Sequence, residues 1–474
     1  MSNENSGRSS ESTFIAFARS TGIFFVGSFM SKAITLLLIP LYTNTLPAAD
    51  YGYYDLSITY VTLLTSFLYC DIWSSVMRMM RDDLEGEAPW RVVASGWAIF
   101  TVSSVLYVSI AFIASLFTDI PCLALIILYG LTTNVQSMFS CIARGYGSNI
   151  DFAISGVLCT LVNVGLNLLL ILVARWGYES LYISYATGFV VQCVYLFVRM
   201  KMWEHLQRPS REQIAELFVY SAPLGINSVA YWLLSSLSRV VVASVLSLSA
   251  NGVFAIGSKF GSTIALATTC FTLAWQDIAF TSEVRNASFY ANAVEQYTGF
   301  LIACTSLLLP LVSLSFPVLV GTDYAEAYSV VPSFLWIAVV SAVSTFVGNI
   351  FYVIKDTRTI GISMVISCLL NIILIYPMTV NYGTLGANLS VLIAFIVNIV
   401  LRALILGRKI GFSLNLRSLL PQSCLLVIAS FAYYNSHFVL NLLVLAMCLF
   451  GILFIYKDKM WLLASNLGKR LMKR

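Results

Sequence analysis

Charge is what this chain has least of. Asp, Glu, Lys and Arg make up 10% of its 474 residues, against roughly 25% in soluble domains. Charged side chains are costly to remove from water, so a chain this poor in them has little surface meant for it. Histidine is nearly absent: only His205 and His437 occur. The ten cysteines are scattered through apolar segments with no C-x-x-C pair, which speaks against a disulfide framework or a zinc site. No metal and no cofactor are expected. There is no G-x-x-x-x-G-K-[ST] phosphate loop, no H-E-x-x-H and no G-x-S-x-G, so neither ATP hydrolysis nor hydrolase chemistry is indicated and the chain is not expected to be an enzyme. The stretch Met1–Ser12 is polar and lacks the basic start and cleavage site of a secretory leader. The first apolar run is therefore expected to remain as the first span.

What the chain has is long apolar runs. Apolar residues make up 59% of it, with a mean hydropathy of +0.86. A membrane-spanning helix needs about 20 such residues. Runs of this kind occur at 20–42, 53–77, 92–117, 121–142, 152–174, 180–198, 217–246, 252–276, 297–319, 328–353, 360–380, 384–406, 418–434 and 438–456. They are too long and unbroken for the alternating strands of an outer-membrane barrel. The fold class expected is all-α and integral to the membrane, with about fourteen spans.

The net charge of +5 does not point to nucleic acid, because the basic residues lie in short loops between spans. With both termini placed in the cytoplasm, 23 of the 27 Lys and Arg residues, Arg402 among them, fall on the cytoplasmic side. Only Arg175 falls outside, while Lys32, Arg239 and Lys259 lie within spans. This is the bias that orients membrane proteins, and a miscounted span would destroy it.

The chain also reads as duplicated. Ala49-Asp50-Tyr51-Gly52-Tyr53-Tyr54-Asp55 is echoed by Ala250-Asn251-Gly252-Val253-Phe254-Ala255, and Asn163, Asn167 and Trp176-Gly177 by Asn371 and Tyr382-Gly383. Two parallel six-helix lobes follow: 1–200, then a linker at 201–216, a second lobe at 217–406, and two additional spans with a basic tail at 407–474. Transporters commonly bind substrate between such halves.

Polar groups inside spans mark the candidate path. Lys32, Arg239 and Lys259 are the basic candidates, with Asp55 and Asp71 as charge partners; a cationic lumen suits an anionic pyrophosphate or acidic sugar. Asn134, Gln136 and Asn163 are the candidates for sugar hydroxyls, though interhelical hydrogen bonds serve such residues equally well. Gly257-x-x-x-Gly261 suits close helix approach.

In order along the chain, Pro40-Leu41, Asp50-Tyr51-Gly52-Tyr53, Ala143-Arg144-Gly145, Asn167, Ala222-Pro223-Leu224, Gly252 to Lys259, Trp275 and Gly383-Thr384-Leu385-Gly386-Ala387 resemble a polysaccharide flippase of the multidrug/oligosaccharidyl-lipid/polysaccharide (MOP) superfamily. The likeness is greatest to bacterial O-antigen flippases and covers nearly the whole chain. It implies alternating access that moves an undecaprenyl-pyrophosphate-linked oligosaccharide across the bacterial inner membrane. The implied partners are that lipid-linked oligosaccharide, the bilayer and proteins of polysaccharide assembly. Two departures stand out. Members often carry an Asp before the basic residue of the seventh span, where this chain has Ser238-Arg239, and Gly177-Tyr178-Glu179-Ser180 lacks the second Gly of 383–387. The first departure weakens any role for an acidic residue there in cation coupling. The rival expectations are a multidrug or cation antiporter of the same superfamily, which would favour a more acidic cavity, and a membrane-embedded polysaccharide polymerase, which would carry a large outside loop.

Overall fold

The computed structural model describes residues 37–82, 88–264, 268, 287–354 and 356–471. Lys32 and most of the first expected span lie outside them, as do Trp275 and the later part of the eighth span. The described residues form helices, joined by short turns and without strands. In lipid a helix satisfies its own backbone hydrogen bonds, which is why apolar runs of this length take that form.

The order is α1 (Ile39–Thr45), α2 (Ala48–Leu68), α3 (Ile72–Asp82), α4 (Ala88–Phe117), α5 (Leu123–Gly145), α6 (Asn149–Leu168), α7 (Glu179–Arg199), α8 (Arg211–Ser235), α9 (Leu237–Val245) and α10 (Leu248–Gly261). There follow α11 (Ala287–Leu319), α12 (Ala327–Val353), α13 (Thr357–Ile410), α14 (Leu420–Asn435) and α15 (Phe438–Leu471). Nine helices among the described residues are long and apolar enough to cross a membrane, or up to ten when α2 and α3 are taken together.

Two spans read as continuous in the sequence are divided in the structure, and a third changes its winding near its end. The second breaks between α2 and α3 with a 49° bend. Cys70 and Asp71 both take left-handed backbone there, with φ of 46° and 53°, an arrangement that non-glycine residues adopt only when their surroundings hold it. The Ser103 hydroxyl of α4 donates to the Leu68 carbonyl at 2.8 Å, replacing a helical bond lost at the break. The seventh span breaks at Ser236, between α8 and α9. The fifth ends in a wider π turn, Leu169–Val173. Conversely, α13 has 54 residues, roughly 80 Å at 1.5 Å per residue and far more than one bilayer needs. It is two helices meeting at Gly383, whose φ of 60° and ψ of −142° are non-helical. That glycine separates the eleventh and twelfth expected spans.

Two compact units result: residues 1–255 with 372–383, and residues 256–371 with 384–474. This division by contact and the six-plus-six division by sequence echo are different cuts through the chain. In the first unit Tyr69, Ile72, Val76, Met80, Phe100, Met138, Ile142 and Leu196 form a buried core where α3 to α5 meet α7. In the second, α14 and α15 pack on α11. Tyr328 and Tyr433 stack at 4.2 Å, and each hydroxyl donates to the other's backbone carbonyl at 2.6 Å. The last two helices are thereby tied into that unit. Gly257 and Gly261 do allow close approach: a Cβ on Gly261 would lie 3.0 Å from Phe334.

Candidate functional site

In the first unit, the two stretches that echo each other in sequence come together. A Cβ on Gly52 of α2 would stand 1.9 Å from the Leu248 carbonyl oxygen, and one on Gly252 of α10 would stand 2.0 Å from that of Ala48. Each glycine thus faces the carbonyl four residues before the other. A local two-fold relation between the helices produces this reciprocity, and only glycine permits so close a crossing.

Charge is placed beside that crossing. Asp55, one turn beyond Gly52, accepts an ion pair from Arg239 of α9, with 2.9 Å between Nε and Oδ2. Asn251 donates through Nδ2 to the Gly52 carbonyl at 2.8 Å and stands 3.5 Å from Asp55 Oδ2. Both charged side chains are about one-fifth exposed (23% for Arg239, 21% for Asp55), so water screens the pair only in part. Of the two acidic residues named as charge partners, Asp55 is thus the one paired with Arg239. Behind it lies a girdle of rings. Tyr42 stacks on Tyr51 at 5.8 Å, and Tyr54 meets Tyr182 edge-on at 4.9 Å. Tyr129 lies about 6 Å from Tyr182, Tyr185 and Phe189, at 6.2, 6.2 and 6.0 Å.

The remaining candidates are spread over both units. Asp71 sits at the break between α2 and α3, where its carboxylate faces the hydrogen-bonding groups of Trp73 and Ser74; it forms no ion pair with a described residue. Buried Asn134 accepts from Thr65 at 3.1 Å, while its Nδ2 has no hydrogen-bond partner. Gln136 donates to Gln192 and Ser140, both at 3.0 Å, which ties α5 to α7. Asn163 is engaged by Asn167 through both its side-chain and backbone oxygens. Lys259 is half-buried in the second unit. Among the described residues no three His, Cys, Asp or Glu side chains cluster as a metal site.

The second unit holds a buried cation that the sequence reading did not single out. Arg402, placed with the cytoplasmic cations in sequence, is buried. Its Nη1 donates to the Ser344 carbonyl at 2.7 Å and its Nε to Ser363 Oγ at 2.9 Å. Asn398 extends the network to Ser344, Ser363 and Ser367. Gly348 makes room, since a Cβ there would lie 2.7 Å from Nη1. The available sequence signal was the pattern of Ser and Asn at helical spacing before Arg402, with Asn398 one turn away.

The model of a family described as polysaccharide biosynthesis protein matches residues 17–275, more than half of the chain. The chain belongs to this family. Solved structures agree on the fold. The lipid II flippase MurJ, in an inward closed conformation, superposes with a TM-score of 0.74 at 15% identity, covering 92% of this chain and 100% of that one. An inward-facing multidrug resistance MATE transporter of the MOP superfamily gives 0.58 at 15% identity, over 83% of this chain and 95% of that one. No curated protein sequence matches the chain. The fold of this chain is thus shared with a lipid flippase and a multidrug transporter, both from solved structures at 15% identity.

Proposed function

We propose that this protein flips an undecaprenyl-pyrophosphate-linked oligosaccharide, an O-antigen or similar surface-polysaccharide repeat unit, from the cytoplasmic to the periplasmic leaflet of the bacterial inner membrane. The observation that carries the reading is the polysaccharide-family match over the first half of the chain, combined with the lipid-flippase fold over 92% of it. The pyrophosphate is the only part of such a substrate sure to be charged, and it needs cations on its path. Lys259 and Lys32 are our candidates for that role. Arg239 is held by Asp55, so we assign it to locking α2 and α9 together. Asn134, with a buried amide N–H to spare, is a candidate for sugar oxygens; Gln136 and Asn163 are candidates whose present bonds bind helix to helix.

We further propose that the chain is a parallel duplication whose copies meet at Gly52 and Gly252, and that both termini are cytoplasmic. With cytoplasmic termini this crossing belongs to the periplasmic end of its helices. Deletion of the gene tests the reading. Surface polysaccharide should be lost while undecaprenyl-linked repeat units accumulate on the cytoplasmic side. Unchanged surface polysaccharide, in a strain without a second flippase, would refute it. Increased drug sensitivity with normal polysaccharide would favour the antiporter instead.

A further inference from the structure

The first unit carries a second feature, apart from the Asp55–Arg239 pair. A slot of about 470 Å³ lies between α2, α4 and α5, lined by Leu56, Leu63, Tyr107, Ala111, Ala114 and Leu123. Tyr60 of α2 and Ile110 of α4 border it and are exposed, and Leu106, Ile113 and Leu116 of α4 also face outward. The slot therefore opens on the hydrocarbon-facing surface. Its walls offer few polar partners, and a cavity of that kind does not hold water; in a bilayer an alkyl chain fills it. Polarity gathers at one end. There Thr118 and Asp119 follow directly on the last residue of α4, and Tyr53 donates to the Pro121 carbonyl at 2.9 Å. Asp119 is exposed and forms no ion pair with a described residue. Neither Lys nor Arg lines the slot.

We propose that this slot binds one chain of an amine-headed phospholipid such as phosphatidylethanolamine, with the ammonium on Asp119. An apolar trough ending in one carboxylate at the membrane edge is complementary to an alkyl chain ending in a cation. The same carboxylate repels a pyrophosphate, which sets this lipid apart from the transported substrate. The ligand is a resident of the leaflet in which the 118–122 loop lies.

Native mass spectrometry of the purified full chain tests the proposal, with added phosphatidylethanolamine or phosphatidylglycerol of matched chains. The wild type should retain more phosphatidylethanolamine. Asp119→Asn, a surface change that leaves packing intact, should lower that retention about fivefold, the ratio worth roughly one exposed ion pair. Ala114→Phe should displace both lipids by filling the slot; Ala111→Leu is the milder change should Ala114→Phe disturb folding. Equal retention of the two lipids by the wild type, or a preference that survives Asp119→Asn, would overturn the proposal. So would preferential retention of undecaprenyl pyrophosphate that Ala114→Phe or Ala111→Leu abolishes, since the slot would then belong to the substrate.

Discussion

A methyl group added to Gly52 has nowhere to go, because the atom it meets is the backbone oxygen of Leu248 and not the tip of a flexible side chain. The same holds for Gly252 and Ala48. Overpacking of this kind typically costs about 1–3 kcal/mol and shifts backbone. Gly52→Ala and Gly252→Ala should each lower thermal stability in detergent and reduce transport. Gly156→Ala is the control, since its Cβ would meet nothing within 4 Å. The neighbouring ion pair makes a separate prediction. Asp55→Asn leaves Arg239 mostly shielded from water without its counter-charge, and should destabilise by about 1–3 kcal/mol. Arg239→Gln in the Asp55→Asn background should then cost less than Arg239→Gln alone. Strictly additive losses in the double-mutant cycle would show that the two charges do not depend on each other.

Helices were legible at the level of elements because each needs one long apolar run, and the runs that the described residues cover reappear as helices, α11 and α15 reaching ten or more residues beyond theirs. The breaks were not legible. Nothing in Tyr69-Cys70-Asp71 marks a bend; tertiary packing imposes it, with Ser103 supplying the missing hydrogen bond from another helix. At Gly383 the reverse held, since a glycine beside Tyr382 with a second run beyond it carried the turn in the sequence itself. The burial of Arg402 was not legible because a cation near a span end normally reaches water, whereas Ser344, Ser363 and Gly348 create an interior niche for it. Of the site candidates, charge economy named Asp55 and Asp71 as partners for the basic residues of the spans, but which pairs with which was visible only in the structure.

The start of α13 offers a pH test. Asp356 caps this helix by accepting from Thr359 N and Oγ1, and Lys409 Nζ lies 2.5 Å from its Oδ2. The Lys409 ammonium and the Thr359 hydroxyl hold the carboxyl at about 2, below its ordinary 3.8. A depressed value means that the stabilisation is fully present above about pH 4 and is lost as pH falls through about 2. Hydrogen exchange at the first turn of α13 should accelerate across that window, and Asp356→Asn should be fast throughout. A wild-type first turn whose protection is the same on both sides of the window would show that the carboxylate does not hold the helix end.

At the scale of the molecule, composition spoke against a soluble protein, and the chain belongs to the polysaccharide biosynthesis family with a fold like that of a lipid flippase. A chain with this little charge has few ways to recognise an anionic lipid, so the substrate reading leans on a handful of cations inside its spans. The most direct measurement is translocation in proteoliposomes containing only this protein. The substrate is an undecaprenyl-pyrophosphate-linked oligosaccharide whose sugar is scored by an enzyme confined to one side. The account predicts that protein-containing vesicles expose the initially protected pool to the enzyme and empty vesicles do not. A protected pool that stays protected in both, while the same vesicles move a cationic dye, would contradict it.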